Sequence, residues 1–236
     1  MHKANIKETF IKKMIQDIVA GKYKIGDRLP AERELSETLS ISRIVIHSGM
    51  VELHAKGLLR IVPRKGIFVA DYQRHGGIDI LDVLFTDSPR LDHDIFLGMM
   101  QAREHLETEF AAQAAKNRRE EHLERLMEIV AAEREATALD AIARLDFDFH
   151  HEIAHATGNA IYPMILKSMT ATYQNLVRAF YETDPDRNAV LASHQDLLNA
   201  IKEQNAIKAR RIMADILAYG FARLNPASIE GEKTDE

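Results

Sequence analysis

Apolar positions in the first part of the chain repeat with the period of an α-helix. The first group recurs in steps of three and four residues: Ile6, Phe10, Met14, Ile15 and Ile18. This spacing predicts an amphipathic helix that ends near Gly21. A short helix is predicted at "AERELSETL", and Ser42 can cap another that runs to about Lys56, where Gly57 stops it.

The pattern changes after the third helix. "LLRIV" and "GIFVA" are short β-rich runs separated by the turn "PRK". Three helices followed by a β-hairpin give the element order of a winged helix-turn-helix.

The rest of the chain has the helical period throughout and no strand-like alternation. We predict helices over residues 91–117, 119–138, 139–157, 161–182, 187–204 and 205–223. "DYQRHGGID" marks a linker and "ILDVLF" a short apolar helix. The predicted fold is therefore mainly α, with a winged helix-turn-helix domain over residues 1–74 and an all-α antiparallel helical bundle over residues 75–230.

Charge divides the chain in the same way. Residues 1–75 hold 14 Lys and Arg against 8 Asp and Glu, whereas the remaining residues hold 17 against 28. Because phosphate contacts supply most non-specific affinity for DNA, the basic first part favours a polyanion partner, although an ordinary solvated basic surface gives the same count.

Composition narrows the class of protein. The 236 residues are 46% hydrophobic and contain no Cys, which excludes disulfides and thiolate metal sites. The first residues lack the apolar core of a signal peptide, and no apolar run approaches the roughly 18 residues that a membrane span needs. We therefore expect a cytoplasmic protein without a membrane partner.

The first part resembles the GntR family of bacterial transcription regulators, whose pattern includes G-x-x-L-P-x-E-R-x-L-A, S-R-x-T-V-R-x-A-L and a wing G-x-G-x-F-V. The resemblance covers about fifty residues in order. The matching positions are Gly26, Leu29, Pro30, Glu32, Arg33, Leu35, Ser42, Arg43, Leu53, Gly57, Leu58, Gly66, Phe68 and Val69. The chain departs from the pattern at His47 for the second Arg, at Gly49-Met50 for Ala-Leu, and at Arg64 for the first wing Gly.

The resemblance and the motif together predict the residues that contact DNA. Arg43 begins the helix that enters the major groove, where it can bind a guanine edge, and Arg33 can reach phosphate or a base edge. Lys65 and Gly66 form the wing tip. The complete predicted set is Arg33, Ser42, Arg43, His47, Lys65 and Gly66.

"HEIAH" at residues 151–155 has the spelling of a zinc-protease helix. A helical wheel puts His151 and His155 on the polar side, and the third ligand of the extended motif is replaced by Ile161. We therefore expect a solvated histidine pair rather than a hydrolase site.

Polar residues interrupt three apolar helix faces in the second part of the chain: Asp146 and His150 on one face, His194 on another and Arg103 on a third. Such groups must be compensated when buried. If the helices form a bundle, these residues converge on one cavity, although Arg103 can instead pair with Glu107 at i,i+4.

This part resembles the FCD effector domain of the FadR subgroup through the motifs D-x-x-F-H and S/E-H-x-x-L. The resemblance implies a divalent metal, Zn²⁺ or a similar ion, with Asp146, His150 and His194 as ligands and Ile216 at the place of a fourth. Two alternatives remain: His150, His194 and Arg103 bind an acidic effector directly, or Asp146 and His150 form a structural pair only.

The resemblance implies a non-enzymatic regulator. We expect a homodimer, acting as a repressor, that binds double-stranded, pseudo-palindromic operator DNA and responds to a small organic acid in the helical domain.

Overall fold

A computed structural model describes residues 6–77, 80, 93–183 and 185–224 of the chain. The chain divides into two compact units, within residues 1–92 and within residues 93–236. The first unit contains these elements: α1 (Ile6–Val19), α2 (Glu32–Leu39), α3 (Arg43–Ala55), β1 (Leu59–Val62), β2 (Gly66–Val69) and α4 (Tyr72–His75).

The first unit is built around α3. This helix packs against α1, α2 and β1, and its inner face buries Ile46, Met50 and Leu53. From α1, Phe10 and Met14 complete this core. The apolar residues that recur every three or four positions in the sequence are therefore the residues buried along each helix. The predicted helix-turn-helix order is confirmed.

The wing is an antiparallel hairpin with Leu59 opposite Val69 and Val62 opposite Gly66. A third segment, which the sequence pattern did not reveal, lies along β2: Val69 N donates to Asp27 O at 2.9 Å. In the turn, Arg64 adopts φ = 63°. This left-handed conformation disfavours side chains with a Cβ and explains why a glycine suits this place in the family pattern.

The second unit contains only helices among its described residues: α5 (His93–Asn117), α6 (Glu120–Glu135), α7 (Leu139–Ala156), α8 (Ile161–Lys167), α9 (Thr170–Glu182), α10 (Arg187–Lys202) and α11 (Ala206–Leu224). Helix α7 packs against α5, α6, α8 and α9, whereas α5 also contacts α10 and α11. The predicted helical bundle is confirmed. Within the described residues, no helix combines the length and apolar character that a membrane crossing requires.

The prediction of one continuous helix over residues 161–182 is wrong, because the structure has two helices there, α8 and α9, with an interruption between them. Ser168 and Thr170 donate their hydroxyls to the main-chain oxygens of Ile165 and Lys167, at 2.7 and 2.6 Å. Such local bonds compete with a continuous helix. Part of the predicted linker forms the short α4, and the helix predicted at "ILDVLF" falls outside the described residues except for residue 80.

Gly49 lies where α3 meets the ring of Phe10. A Cβ at this position would lie 2.5 Å from Cδ1 of Phe10, whose side chain is buried. We expect Gly49→Ala to destabilise the first unit by about 1–3 kcal/mol, the usual cost of overpacking a core. Urea unfolding followed by circular dichroism measures this change.

Gly98→Ala is the matched control, because Gly98 also lies in a helix but has no heavy atom within 4 Å of the added Cβ. It should raise stability by about 0.5–1 kcal/mol. In a Phe10→Leu background, the cost of Gly49→Ala should shrink. An unchanged or higher stability for Gly49→Ala alone would contradict the packing argument.

Candidate functional site

The outer face of α3 carries two of the residues that the sequence assigned to DNA contact. Arg43 begins the helix and is exposed, as is His47 one turn later. Ile44 lies beside Arg43 and is 83% exposed. Ile44 was not among the predicted contacts, because an isoleucine two positions before Ile46 is also compatible with a buried helix face. A solvent-facing isoleucine here is suited to contact a thymine methyl group.

Ser42 differs in detail from its predicted role. Ser42 occupies the N-cap position, but its hydroxyl makes no capping hydrogen bond. The expected side-chain cap at Ser42 is therefore wrong. The main-chain oxygen of Ser42 accepts from the amides of Val45 and Ile46 instead, at 3.0 and 3.1 Å.

The charged groups around α3 are accessible. His47 Nδ1 lies 2.8 Å from Oε1 of Glu32 on α2, and both side chains are reached by solvent. The Arg33 side chain is exposed, and its Nε lies 3.8 Å from Oε1 of Glu37. At the wing tip, Lys65 is exposed and Gly66 adopts φ = 119°. The predicted contact set therefore includes three exposed Arg and Lys side chains: Arg33, Arg43 and Lys65.

The second unit encloses a cavity of about 300 Å³. Four predicted polar residues line it: Arg103 from α5, Asp146 and His150 from α7, and His194 from α10. Mainly apolar walls come from α9, α10 and α11, and the α11 wall contains Ile216 together with the polar residues Asp215 and Tyr219. The structure therefore brings together the polar interruptions of three apolar faces, as their positions in the sequence suggested.

One side of the cavity holds a buried ionic network. Glu107 Oε1 accepts from Arg103 Nε at 2.7 Å, and its Oε2 lies 2.5 Å from His150 Nδ1. The Arg103 guanidinium also donates to the Tyr173 hydroxyl at 2.8 Å and lies over the Tyr173 ring at 4.1 Å. Arg103 thus forms the pair with Glu107 that the sequence left open, and its contact with an effector stays a prediction.

Electrostatics follow from this burial. Desolvation alone would raise the pKa of Glu107, but the charge of Arg103 and the contact with His150 outweigh it and hold the pKa at about 2. Burial would lower the pKa of Arg103, yet Glu107 raises it. For Tyr173, burial raises the pKa well above its ordinary value despite the neighbouring cation. Glu107 and Arg103 are therefore charged and Tyr173 is neutral at physiological pH.

A second carboxylate–imidazole pair, Glu133 and His194, lies at a different part of the same cavity. His194 Nδ1 is 3.0 and 3.1 Å from the two carboxylate oxygens of Glu133, and the His194 ring stacks on Phe149 at 4.4 Å between centroids. Burial lowers the pKa of His194, but Glu133 and Asp146 more than offset this and leave it raised. Burial raises the pKa of Asp146, which opens on the cavity.

The second pair includes donors that can hold a metal ion. One ligand atom each of Glu133, Asp146 and His194 lies within 4.8 Å of the others. Two carboxylates and an imidazole suit a divalent cation of intermediate hardness, so the residues fit such an ion. His150 is outside this group, although its ring centroid is 5.7 Å from that of His194.

Glu133 and Tyr173 were not predicted as site residues. Glu133 is buried on α6, where it follows Leu126 and Ile129 on the same face. A charged residue in that apolar stripe was therefore a usable signal. Tyr173 gave no comparable signal, because a tyrosine on an apolar helix face fits an ordinary core.

The protease-like motif at residues 151–155 does not form a metal site among the described residues. His155 is exposed, as expected, but His151 is half-buried, and its Nε2 lies 3.1 Å from the Pro163 oxygen because α8 packs against α7. The expectation that both histidines are solvated is therefore wrong for His151. Glu152 lies 2.8 Å from Nδ1 of His122 instead of serving a metal-bound water.

Two protein families match the two units. The profile described as "Bacterial regulatory proteins, gntR family" matches residues 7–69, and that of the "FCD domain" matches residues 98–219. The second match alone covers more than half of the chain. Both recognitions made from the sequence are therefore confirmed.

Individual relatives agree with these matches. A fatty acid metabolism regulator protein of Salmonella paratyphi B is 29% identical over 198 residues, which cover 82% of this chain and 79% of that protein. The same values hold for the protein of that name in Salmonella newport.

Solved structures show the same fold. The Lar regulator of Listeria monocytogenes gives a TM-score of 0.68 at 16% identity, covering 95% of this chain and 98% of its own. McbR/YncC of E. coli gives a TM-score of 0.54 at 17% identity, and the match covers 94% of this chain and 97% of McbR/YncC.

Glu107→Gln tests the buried network in the metal-free protein. Removing one charge of a buried, paired set should destabilise the helical unit by about 3–5 kcal/mol at neutral pH. Because the folded pKa of about 2 lies below the ordinary 4.5, the stability that Glu107 contributes is present above pH 4.5 and is lost as pH falls towards 2. The difference in the free energy of unfolding between wild type and Glu107→Gln should therefore become smaller below pH 4.5. Urea unfolding at several pH values measures this difference.

Glu135→Gln serves as the control, since Glu135 is exposed. It should change stability by less than about 0.5 kcal/mol at every pH. A Glu107→Gln effect of the same small size would show that the network does not stabilise the fold.

Proposed function

Because the chain belongs to the GntR family of bacterial regulatory proteins and carries an FCD domain, we propose that it is a ligand-responsive transcription regulator whose helical cavity binds a small carboxylate-bearing metabolite. The observation that carries the effector part is the cavity of about 300 Å³, in which polar side chains from three helices meet apolar walls. Such a combination is typical of small-molecule sites. Regulators of this family bind operator DNA and small-molecule effectors.

The DNA contacts are assigned to the exposed groups of the first unit. Arg43 and His47 on α3 enter the major groove with Ile44, while Arg33 approaches the backbone or a base edge. Lys65 and Gly66 contact the minor groove, where the glycine permits close approach of the main chain. Ser42, at the start of α3, offers a hydroxyl that is not used in capping. These assignments are supported by exposure and charge.

The protein acts as a homodimer on a pseudo-palindromic site. Two winged heads related by a twofold axis match two half-sites of an operator, which gives each head the same set of contacts. The effector shifts the population between two arrangements of the heads, because it binds one arrangement more tightly than the other. Ligand binding then releases DNA, as in a repressor.

Charge supports a divalent cation as part of the effector site. The described groups in and behind the cavity include four carboxylates, Glu107, Glu133, Asp146 and Asp215, whereas Arg103 is already paired with Glu107. An organic acid that entered alone would meet this excess of negative charge. When bound, a Zn²⁺-like ion held by Asp146, His150 and His194 would supply a positive centre for the effector carboxylate.

Direct binding of the acid remains the second candidate. It is favoured by His150, His194 and Arg103, which all line the cavity and can each donate a hydrogen bond when protonated. This alternative predicts an effector response that EDTA does not alter.

Arg43→Ala tests DNA recognition. Duplexes selected from a random library by the wild-type protein serve as the probe, with fluorescence anisotropy as the readout. Loss of a bidentate guanine contact should weaken binding by about 1–3 kcal/mol, or roughly 5- to 150-fold.

Arg125→Ala, an exposed arginine of the helical unit, should leave DNA affinity unchanged. If Arg43→Ala binds the selected duplexes as tightly as wild type at low salt, the proposed role of α3 is wrong.

His150→Ala tests the metal in the cavity. Excess ZnCl₂ added to EDTA-treated wild type should raise the melting temperature, since an ion that binds only the folded state stabilises it by about 2.7 kcal/mol at 100 times its Kd. The variant should lose most of this shift, as measured by differential scanning calorimetry.

His155→Ala is the matched control on the same helix, because His155 is exposed and lies outside the cavity lining. It should keep the full shift. A wild type without any shift would leave only the metal-free alternative, whereas a His150→Ala variant that keeps the full shift would exclude His150 as a ligand.

A further inference from the structure

We propose that Glu133 of α6 is a ligand of the cavity's divalent cation, which makes the site richer in carboxylate than the set of Asp146 and two histidines. This inference rests on the proposed function, because it assigns a further residue to the same site. Helix α6 thereby joins α7 and α10 around one ion.

The distances carry the assignment. The preassembled group of donors in the described residues contains Glu133, Asp146 and His194, with one atom of each within 4.8 Å of the others. Both oxygens of Glu133 are 3.0–3.1 Å from His194 Nδ1. Donors at about 2.1 Å from one ion lie about 3 Å apart in octahedral and about 3.4 Å apart in tetrahedral coordination, so the separation of this pair is close to that of two neighbouring ligands.

The surroundings hold Glu133 in place. Its side chain is buried, and its main-chain oxygen accepts from Arg187 Nη2 at 2.8 Å. The same nitrogen donates to the oxygen of Ala136 at the end of α6. Arg187 begins α10, the helix that carries His194, so this contact ties the two ligand-bearing helices together.

Charge balance favours a cation at this place. Glu133 and Asp146 are two carboxylates near one imidazole, and the arginine in the cavity lining, Arg103, is bonded to Glu107. Burying carboxylates without a compensating charge is costly. A bound divalent ion offsets both.

The wall formed by α11 offers the ion no imidazole. Ile216 and Leu217 of that wall cannot coordinate a metal, and its carboxylate, Asp215, is exposed and lies outside the group of preassembled donors found among the described residues. Glu133 is buried and belongs to that group together with Asp146 and His194.

The composition of the ligand set predicts its selectivity. Carboxylate oxygens suit harder ions such as Mn²⁺, whereas imidazole binds Zn²⁺ well. Removing a carboxylate ligand should therefore weaken Mn²⁺ binding more than Zn²⁺ binding. A carboxylate that only orients His194 through a hydrogen bond would affect both ions alike.

Glu133→Gln provides the test, because glutamine retains an oxygen that can accept from His194 Nδ1 but loses the charge. EDTA-treated full-length protein is titrated with MnCl₂ by calorimetry, and Zn²⁺ affinity is measured by competition with a chelating dye. We expect about a 100-fold or greater loss of Mn²⁺ affinity and a loss of Zn²⁺ affinity at least fivefold smaller.

Glu135→Gln, two residues further along α6, is the control and should bind both ions as wild type does. Circular dichroism verifies folding. If Glu133→Gln does not fold, Glu133→Asp, which keeps the charge but withdraws the oxygens by about 1.5 Å, should weaken Mn²⁺ binding at least tenfold.

Unchanged Mn²⁺ affinity, an equal loss for both ions, or the absence of metal binding by the wild type would each overturn the role of Glu133. These measurements need neither DNA nor effector. Failure here is therefore distinguishable from failure of the regulator function, which the Arg43→Ala experiment decides.

Discussion

The helical unit depends on how it compensates the charges inside it. Glu107 is almost fully buried and is bonded on one side to Arg103 and on the other to His150. Helices α5 and α7 therefore meet through a charged contact as well as through apolar packing. A buried carboxylate is stable only when its partners remain in place, so this contact restricts the relative positions of the two helices.

The same constraint shapes the cavity. Arg103 lies over the Tyr173 ring, which brings α9 to the wall, and His194 is bonded to Glu133, which brings α6 to α10. Each of these polar groups is paired across helices, whereas the remaining lining is mainly apolar, with Ser193, Asp215 and Tyr219 among its other polar residues. A ligand that changes one pair thus acts on the packing of several helices at once. A domain in which ligand binding is to change the arrangement of the helices needs such a connection between the ligand site and the helix packing.

The DNA-binding unit is organised by packing instead of charge. Its core places the Phe10 ring directly against Gly49. The ring leaves no space for a Cβ at this position, which explains why the chain has glycine where the family pattern has alanine. Arg64 is a second departure, and there the backbone keeps the left-handed conformation that suits glycine. The fold is therefore retained while individual positions adapt.

Much of the fold followed from the sequence, because helix periodicity and capping are local properties. The steps from Ile6 to Ile18, the stop at Gly57 and the hairpin runs each depend on neighbours within a few residues, and the structure agrees with them. The interruption at Ser168 was missed because hydroxyl bonds to the main chain and a continuous helix are both compatible with that stretch.

The candidate site was predicted in part. Arg103, Asp146, His150 and His194 were found because each breaks an apolar stripe, a pattern visible in one dimension. Their pairing was decided by the tertiary structure, since Glu107 and His150 are 43 residues apart, and Glu133 and His194 are 61 apart. The sequence by itself determined which helices form and which faces are buried, because those depend on local spacing. Only the packing of α5, α6, α7 and α10 decided which charge meets which, because a hydrogen bond requires atoms about 3 Å apart in space.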